Sequence, residues 1–283
     1  MARAVTWLDV FTARPLTGNG LAVVHDADGM DDTTMHGFAR ETRLSETTFV
    51  QTATAAGADY RNRIWMTTGE LDFAGHPSLG TAVAVARARG ERSARYVQET
   101  RAGLQPIEVE TGDGVARASM LQERAELGPE VEPTSAFAPL GLDPADAHPE
   151  LPPQVVSTGL AHLMVPVREA SALERVAPRF DALRDLLRAV GATCAYLALC
   201  EPEREAARAR SFFVDATGVA EDPATGSAAG PLMAYLHDRA GAARLTIDQG
   251  VEMGRPSRLL CDAGERVRVA GDAVVVMDGT LAI

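Results

Sequence analysis

The sequence of 283 residues predicts an α+β protein of two similar domains, each with strands wrapped around a buried central helix. Two observations lead there: the chain repeats itself once, and each copy of the repeat holds a helix with no polar face. In the first copy, Ile64-Trp65-Met66 reads as a strand, followed by the segment Thr68 to His76 and a helix of small residues. In the second, Ser211 to Val214 reads as a strand, followed by Gly218 to Ser227 and another such helix. The offset from Gly75 to Gly226 is 151 residues, and the offset from Gly103 to Gly254 is the same. A fixed offset between landmarks marks a duplicated structural unit.

The flanking segments follow the same order in both copies. Val5 to Val10 and Leu21 to Val24 alternate as strands do around the turn Gly18-Asn19-Gly20. A helix over Asp31 to Thr42 and a strand over Thr47 to Val50 come next. In the second copy, strands over Val155 to Ser157 and His162 to Val167 flank Thr158-Gly159. A helix over Ser171 to Val190 and a strand over Ala195 to Leu199 complete the match. A proline-rich linker, Gly128 to Pro153, is expected between the halves. The expected domains are therefore an N-terminal repeat over 1–125 and a C-terminal repeat over 126–283, with the last strand free to return to the first.

The two repeated helices decide the architecture. Gly80 to Ala86 and Ala228 to Leu236 are apolar or small around most of their circumference. A surface helix shows one polar face, so these two are expected to be buried on all sides.

Composition removes several function classes. A formal charge of −12 opposes binding to nucleic acid or to an anionic membrane surface, both of which need clustered cations. No apolar run reaches the length that spans a bilayer, and residues 1–10 carry no apolar signal core. Cys194, Cys200 and Cys261 have neither C-x-x-C spacing nor a partner histidine motif, so neither a disulfide framework nor a zinc site is expected. A cytoplasmic setting is the natural expectation. The chain has no lysine, which rules out Schiff-base catalysis and covalently anchored pyridoxal phosphate. It also rules out a complete Walker A loop, although Gly75 to Thr81 has that loop's glycine spacing.

The candidate chemistry lies where the buried helices begin, at Gly75-His76 and Gly226-Ser227. Unpaired N–H groups and the positive end of the helix dipole favour an anion there, so a substrate carboxylate could be held without any lysine. The ordinary alternative is capping, with Ser227 as an N-cap and Gly75 as a turn. Glu46 opens a strand whose counterpart in the second copy carries Cys194 and Ala195, so the repeat itself does not require an acid there. It reads either as an exposed strand-end carboxylate or as a base whose pKa is raised by burial. Asp222 reads as a loop carboxylate, a capping residue or a substrate contact, and His76 as a packed histidine or a site residue.

Taken together, these residues resemble a known family. Asp9 to Thr12, Gly18-Asn19, Ser45-Glu46-Thr47, Gly75-His76-Pro77 and Asp222 to Ser227 are similar in order and spacing to the PhzF-like phenazine-biosynthesis isomerases. Gln249-Gly250 and Met253 to Ser257 extend the resemblance to the C-terminal part of the chain. The resemblance implies the diaminopimelate-epimerase-like fold: two pseudo-symmetric domains, each a mixed barrel-like sheet around a central helix. It implies a proton shift between carbons, with Glu46 as the acid/base group and His76 and Asp222 on the substrate's polar groups. Gly75, Gly226, Ser227 and Asn19 are the implied substrate-binding positions. It further implies no metal or organic cofactor, a small carboxylate-bearing substrate from secondary metabolism, and a homodimer.

Departures from the pattern are mild: Gly20 stands where proline is common, and Ser78 where threonine is. The related two-thiol epimerases carry a cysteine before each Gly-polar pair; here those positions are Ala74 and Thr225, which argues against two-thiol chemistry. An epimerase, racemase or dehydratase on the same scaffold, or a non-catalytic carboxylate-binding protein, are the alternative expectations.

Overall fold

The computed structural model describes residues 2–215 and 218–283. The chain divides into two compact units, one formed by Met1–Leu121 with Ala270–Ile283 and the other by Gln122–Val269.

In the first unit, β1 (Ala2–Val10) pairs antiparallel with β2 (Asn19–Val24). Helix α1 (Asp32–Thr42) then crosses to β3 (Glu46–Gln51), which lies parallel to β2. Its N-cap is Asp31, whose carboxylate accepts from Thr34 N–H at 2.7 Å. Strand β4 (Tyr60–Met66) runs antiparallel to β3 and turns into the short β5 (Gly69–Leu71). The central helix α2 (Gly75–Arg89) follows, then β6 (Ser93–Thr100), β7 (Gly103–Thr111) and β8 (Val115–Leu121) as an antiparallel meander.

Helix α2 is sealed from Gly75 to Ala86, every one of those residues being buried. Two of its hydroxyls are satisfied inside: Ser78 donates to Ala74 C=O at 2.7 Å, and Thr81 shares a 2.8 Å hydroxyl bond with Thr48 of β3. Gly80 explains the close fit, since a Cβ there would stand 2.5 Å from a Leu21 methyl and 2.7 Å from a Val10 methyl. Gly90, in the left-handed conformation at φ 70°, ends the helix.

The second unit repeats this order. It begins with β9 (Glu126–Glu130) and α3 (Pro133–Phe137), then β10 (Gln154–Ser157) and β11 (Ala161–Val167) as an antiparallel pair. Helices α4 (Ala170–Arg175) and α5 (Phe180–Val190) lead to β12 (Cys194–Glu201), which is parallel to β11. Strands β13 (Ala206–Asp215) and β14 (Gly218–Asp222) form the hairpin before the second central helix, α6 (Gly226–Ala240). Strands β15 (Arg244–Gln249) and β16 (Ser257–Asp262) follow, with β15 parallel to β13 as β6 is to β4. Both central helices have 15 residues and end at a left-handed glycine, Gly90 and Gly241.

The last strand, β17 (Arg268–Ala282), pairs with β1 and with β8. Those pairings close the first unit into an eight-stranded barrel around α2, the mixed α+β architecture expected from the repeat.

Two expectations need correction. The segment Gly128 to Pro153 is not a bare linker: it contributes part of β9, the whole of α3 and further turns. It buries Phe137 and Leu140 in the second unit's core, together with Leu173, Leu183 and Phe212. Proline there starts short helices, because its missing N–H costs nothing in the first turn. The helix expected over Ser171 to Val190 is two helices, broken around Pro178, which cannot donate and disfavours helical geometry in the preceding residue.

A second repeated device braces the hairpins that lead into the central helices. Arg63 on β4 pairs with Glu70 on β5 and lies over the Trp65 ring. Arg210 on β13 pairs with Glu221 on β14 at 2.7 Å and lies over the Phe212 ring.

Candidate active site

In the first unit the Gly18 turn delivers Asn19 to the start of β2. Gly18 has φ +67°, and a Cβ there would meet Val10 C=O at 2.5 Å, so no larger residue fits this turn. The parallel ladder sets Leu21 opposite Glu46 at the head of β3. His76, second residue of α2, enters the same corner. Its Nδ1 lies 3.2 Å from the Asn19 amide nitrogen, and its Nε2 lies 3.4 Å from Glu46 Oε2. The structure thus brings Glu46, His76, Asn19 and Gly75 together.

Both reacting candidates are shielded, with side-chain exposures of 13% for Glu46 and 5% for His76. The reading of Glu46 as an exposed strand-end carboxylate is therefore corrected: β2 and α2 enclose it. Burial pushes the His76 pKa down to about 3, opposed only by a hydrogen bond with the Gly20 backbone. The ring is neutral at pH 7, so its approach to Glu46 is not an ion pair. A neutral imidazole beside a shielded carboxyl is an arrangement that can hold and move a single proton.

In the second unit, β14 ends at Asp222, and the loop Pro223-Ala224-Thr225 leads into α6. Here the capping alternative is corrected. Ser227 is the second residue inside the helix, the N-cap is Thr225, and Thr225 makes no capping bond with its side chain. Its hydroxyl instead donates to Asp222 Oδ2 at 2.6 Å. Helix α2 likewise starts at Ala74 without a side-chain cap. Gly226 and Ser227 thus stand in the first turn of a central helix, as Gly75 and His76 do.

The ladders expose a residue that sequence reasoning did not single out. Leu163 faces Ala195 as Leu21 faces Glu46, so Ala195 is the counterpart of Glu46 and His162 the counterpart of Gly20. An imidazole therefore reaches the start of each central helix, supplied by the helix in one unit and by a strand in the other. His162 is buried, and burial lowers its pKa to about 4 against an opposing contact with the Ser227 backbone. Its Nδ1 lies 3.1 Å from Cys194 Sγ, which accepts a 3.4 Å hydrogen bond from the Ser211 hydroxyl. Burial raises the Cys194 pKa to about 12, so this sulfur is a thiol and no nucleophile at neutral pH. Aligning β2 with β11 by register would have found His162; the helix-based offset does not.

Among the described residues, no group of three or more His, Cys, Asp or Glu side chains is arranged to hold a metal ion. No helix among them is long and apolar enough to cross a membrane.

Comparison with known proteins gives a consistent picture. A family model described as phenazine biosynthesis-like protein, PhzC-PhzF, matches residues 8–279. The trans-2,3-dihydro-3-hydroxyanthranilate isomerase of Pseudomonas aeruginosa is 38% identical over 282 residues, covering 96% of each chain. The solved structure of a predicted epimerase from Pseudomonas aeruginosa superposes with a TM-score of 0.88 at 35% identity, covering 99% of both chains. A hydroxyproline epimerase from Agrobacterium vitis, at 12% identity, shares the fold with a TM-score of 0.65 over 100% of this chain and 93% of its own.

Proposed function

The chain belongs to the phenazine biosynthesis-like PhzC-PhzF family of isomerases and epimerases, and from that premise we propose that its own reaction is a one-base proton shift on a small, cyclic amino or hydroxy acid. One observation carries this reading above the others: Glu46 Oε2 and His76 Nε2 lie 3.4 Å apart in a shielded corner, with the imidazole neutral. Glu46 removes a proton from one carbon and returns it to another, so that a double bond moves. Next to a neutral ring, the carboxyl can alternate between base and acid without leaving an unpaired buried cation. Asn19 in the first unit and Asp222 in the second are the candidate contacts for a substrate's amino or hydroxyl group. Each central helix offers an anion-binding first turn, at Gly75 in one unit and at Gly226 and Ser227 in the other, and such a turn can receive a carboxylate and spread the charge that develops on ionisation.

The substrate class follows from the same chemistry and from the isomerase relative, which acts on trans-2,3-dihydro-3-hydroxyanthranilate. A role in secondary metabolism, independence from metal and organic cofactors, and a homodimeric state are part of the same proposal. The test is to incubate the protein with trans-2,3-dihydro-3-hydroxyanthranilate and a panel of related cyclic acids in deuterated water, and to follow them by proton NMR. Wild type is expected to shift a double bond and to place deuterium on the receiving carbon, at a rate unchanged by prior dialysis against a chelator. Label on the original carbon with inverted configuration would establish an epimerase in place of the isomerase. The absence of both a double-bond shift and exchange with every one of the compounds would refute the reading.

A further inference from the structure

Gln249, the last residue of β15, is fully buried, and its single carboxamide makes four hydrogen bonds. Oε1 accepts from Thr225 N–H at 3.2 Å and from the Tyr196 hydroxyl at 2.8 Å. Nε2 donates to Asp222 C=O at 2.8 Å and to Thr225 Oγ1 at 3.0 Å. The backbone groups fix the amide's orientation, because an N–H can only donate and a C=O can only accept. The direction of the next bond then follows. Thr225 Oγ1 receives the amide proton, so its own proton is left for Asp222 Oδ2, 2.6 Å away. The chain runs one way, from Gln249 through Thr225 to the Asp222 carboxylate.

The residue after Gln249 closes on the same loop. Gly250 has φ +74°, and a Cβ there would stand 2.6 Å from Pro223 C=O and 2.5 Å from Arg255 C=O. The Gln249-Gly250 pair therefore clamps the segment 222–225 from one side, and the Arg210–Glu221 pair braces β14 immediately before it.

We propose that Gln249 and Thr225 are positioning residues for Asp222, holding its carboxylate in one orientation by a one-way chain of hydrogen bonds. Thr225 acts here through its hydroxyl proton and takes no part as a reacting group. The consequence for turnover rests on the reading of Asp222 as a substrate-orienting residue; the hydrogen-bond chain itself does not.

Cys194 and Tyr196 of β12 are titratable groups that face Asp222, and both are held neutral by burial. Its neighbour Glu221 is engaged by Arg210. At 2.6 Å the Thr225 hydroxyl is a close donor to Asp222, and its removal is a change the carboxylate should register.

The test is a carbon-13 NMR titration of protein labelled at aspartate carboxyls, with the Asp222 signal assigned by its loss in Asp222→Asn. In Thr225→Val the midpoint of that signal is expected to move upward, because the ionised form loses its donor. Thr225→Ser should restore the wild-type midpoint, and Gln249→Met should move it in the same direction as Val. Thr225→Ala serves as the second variant if the valine disturbs the helix start. With trans-2,3-dihydro-3-hydroxyanthranilate as substrate, kcat of Thr225→Val should fall roughly tenfold or more with little change in KM, and serine should recover it. A midpoint that stays at the wild-type value in Thr225→Val and Thr225→Ala would overturn the proposal. So would a serine variant that behaves like valine. A wild type inactive on this compound would count against the substrate reading above, while the titration would still decide the positioning role.

Discussion

Nε2 of His76 lies 3.4 Å from Oε2 of Glu46, and the imidazole is kept neutral by burial. The pair brings together two elements far apart in the chain, the start of β3 and the first turn of α2.

Glu46→Gln keeps the size of the side chain and removes its ability to take a proton. The expected loss in rate is roughly 10²–10⁴-fold, the usual contribution of a positioned acid/base group, with ligand binding nearly intact. Single-turnover kinetics beside a binding titration would check it. A glutamine variant with substantial activity would remove Glu46 from the role of base.

His76 and His162 are both buried as neutral rings, with pKa values lowered to about 3 and about 4 from 6.5. The unfolded chain takes up protons on these rings as pH falls below 6.5, while the folded chain does not. Stability is therefore expected to be greatest above pH 6.5 and to decline as pH falls toward 4, by at most about 1.4 kcal/mol per pH unit for each ring. Urea midpoints across this range should show a flatter slope in His162→Gln than in wild type. An identical slope would mean that the ring takes up its proton in the folded state.

The central helices tolerate no added volume at their closest contacts. Gly80→Ala would press a methyl against Leu21 and Val10, and should cost about 1–3 kcal/mol despite alanine's better helix propensity. Gly230→Ala would place its Cβ 1.7 Å from Gln122 Oε1, displacing an amide that donates to Gly226 C=O at 2.8 Å. The loss there should be larger, and should also disturb the start of α6. Denaturant midpoints with unchanged m-values would measure both.

Ion pairs should differ sharply by location. Arg63 and Glu70 have side-chain exposures of only 11% and 7%; Glu70→Gln removes the shielded partner and leaves the guanidinium with Asp32 at 2.9 Å, so it should cost about 1.5–3 kcal/mol. Arg124 and Glu265 pair at the surface, each with three quarters of its side chain exposed, and Arg124→Ala should change stability by less than about 0.5 kcal/mol. Thermal unfolding of the two variants side by side would separate these cases.

Much of this was legible in the sequence because it depends on local pattern. The duplication, the order of strands and helices in each copy, and the two helices without a polar face all follow from periodicity and from the spacing of glycines. The resemblance carried by Glu46, His76 and Asp222 pointed to the family in which the chain belongs. Proline was the weak guide. It suggests a proline-rich linker where Phe137 and Leu140 enter a core, and the stretch Ser171 to Val190 reads as one helix where Pro178 divides it into two. A proline can start a helix, end one or mark a loop, and only the packing around it decides which.

Tertiary structure alone decided the state of each site residue. A lone glutamate at the head of a strand is ordinarily exposed, and nothing within several residues of Glu46 says otherwise. It is shielded because a parallel crossover sets β3 beside β2, and because α2 threads its first turn, with His76, into the same corner. Ser227 reads as a helix cap, yet the N-cap of α6 is Thr225, whose hydroxyl donates to Asp222 while its oxygen accepts from Gln249, 24 residues further on. The repeat itself, by contrast, is legible in the sequence, because a helix buried on all sides carries apolar or small residues around most of its circumference whatever surrounds it. Burial and hydrogen-bond direction come from residues distant in the chain, and folding is what makes them neighbours.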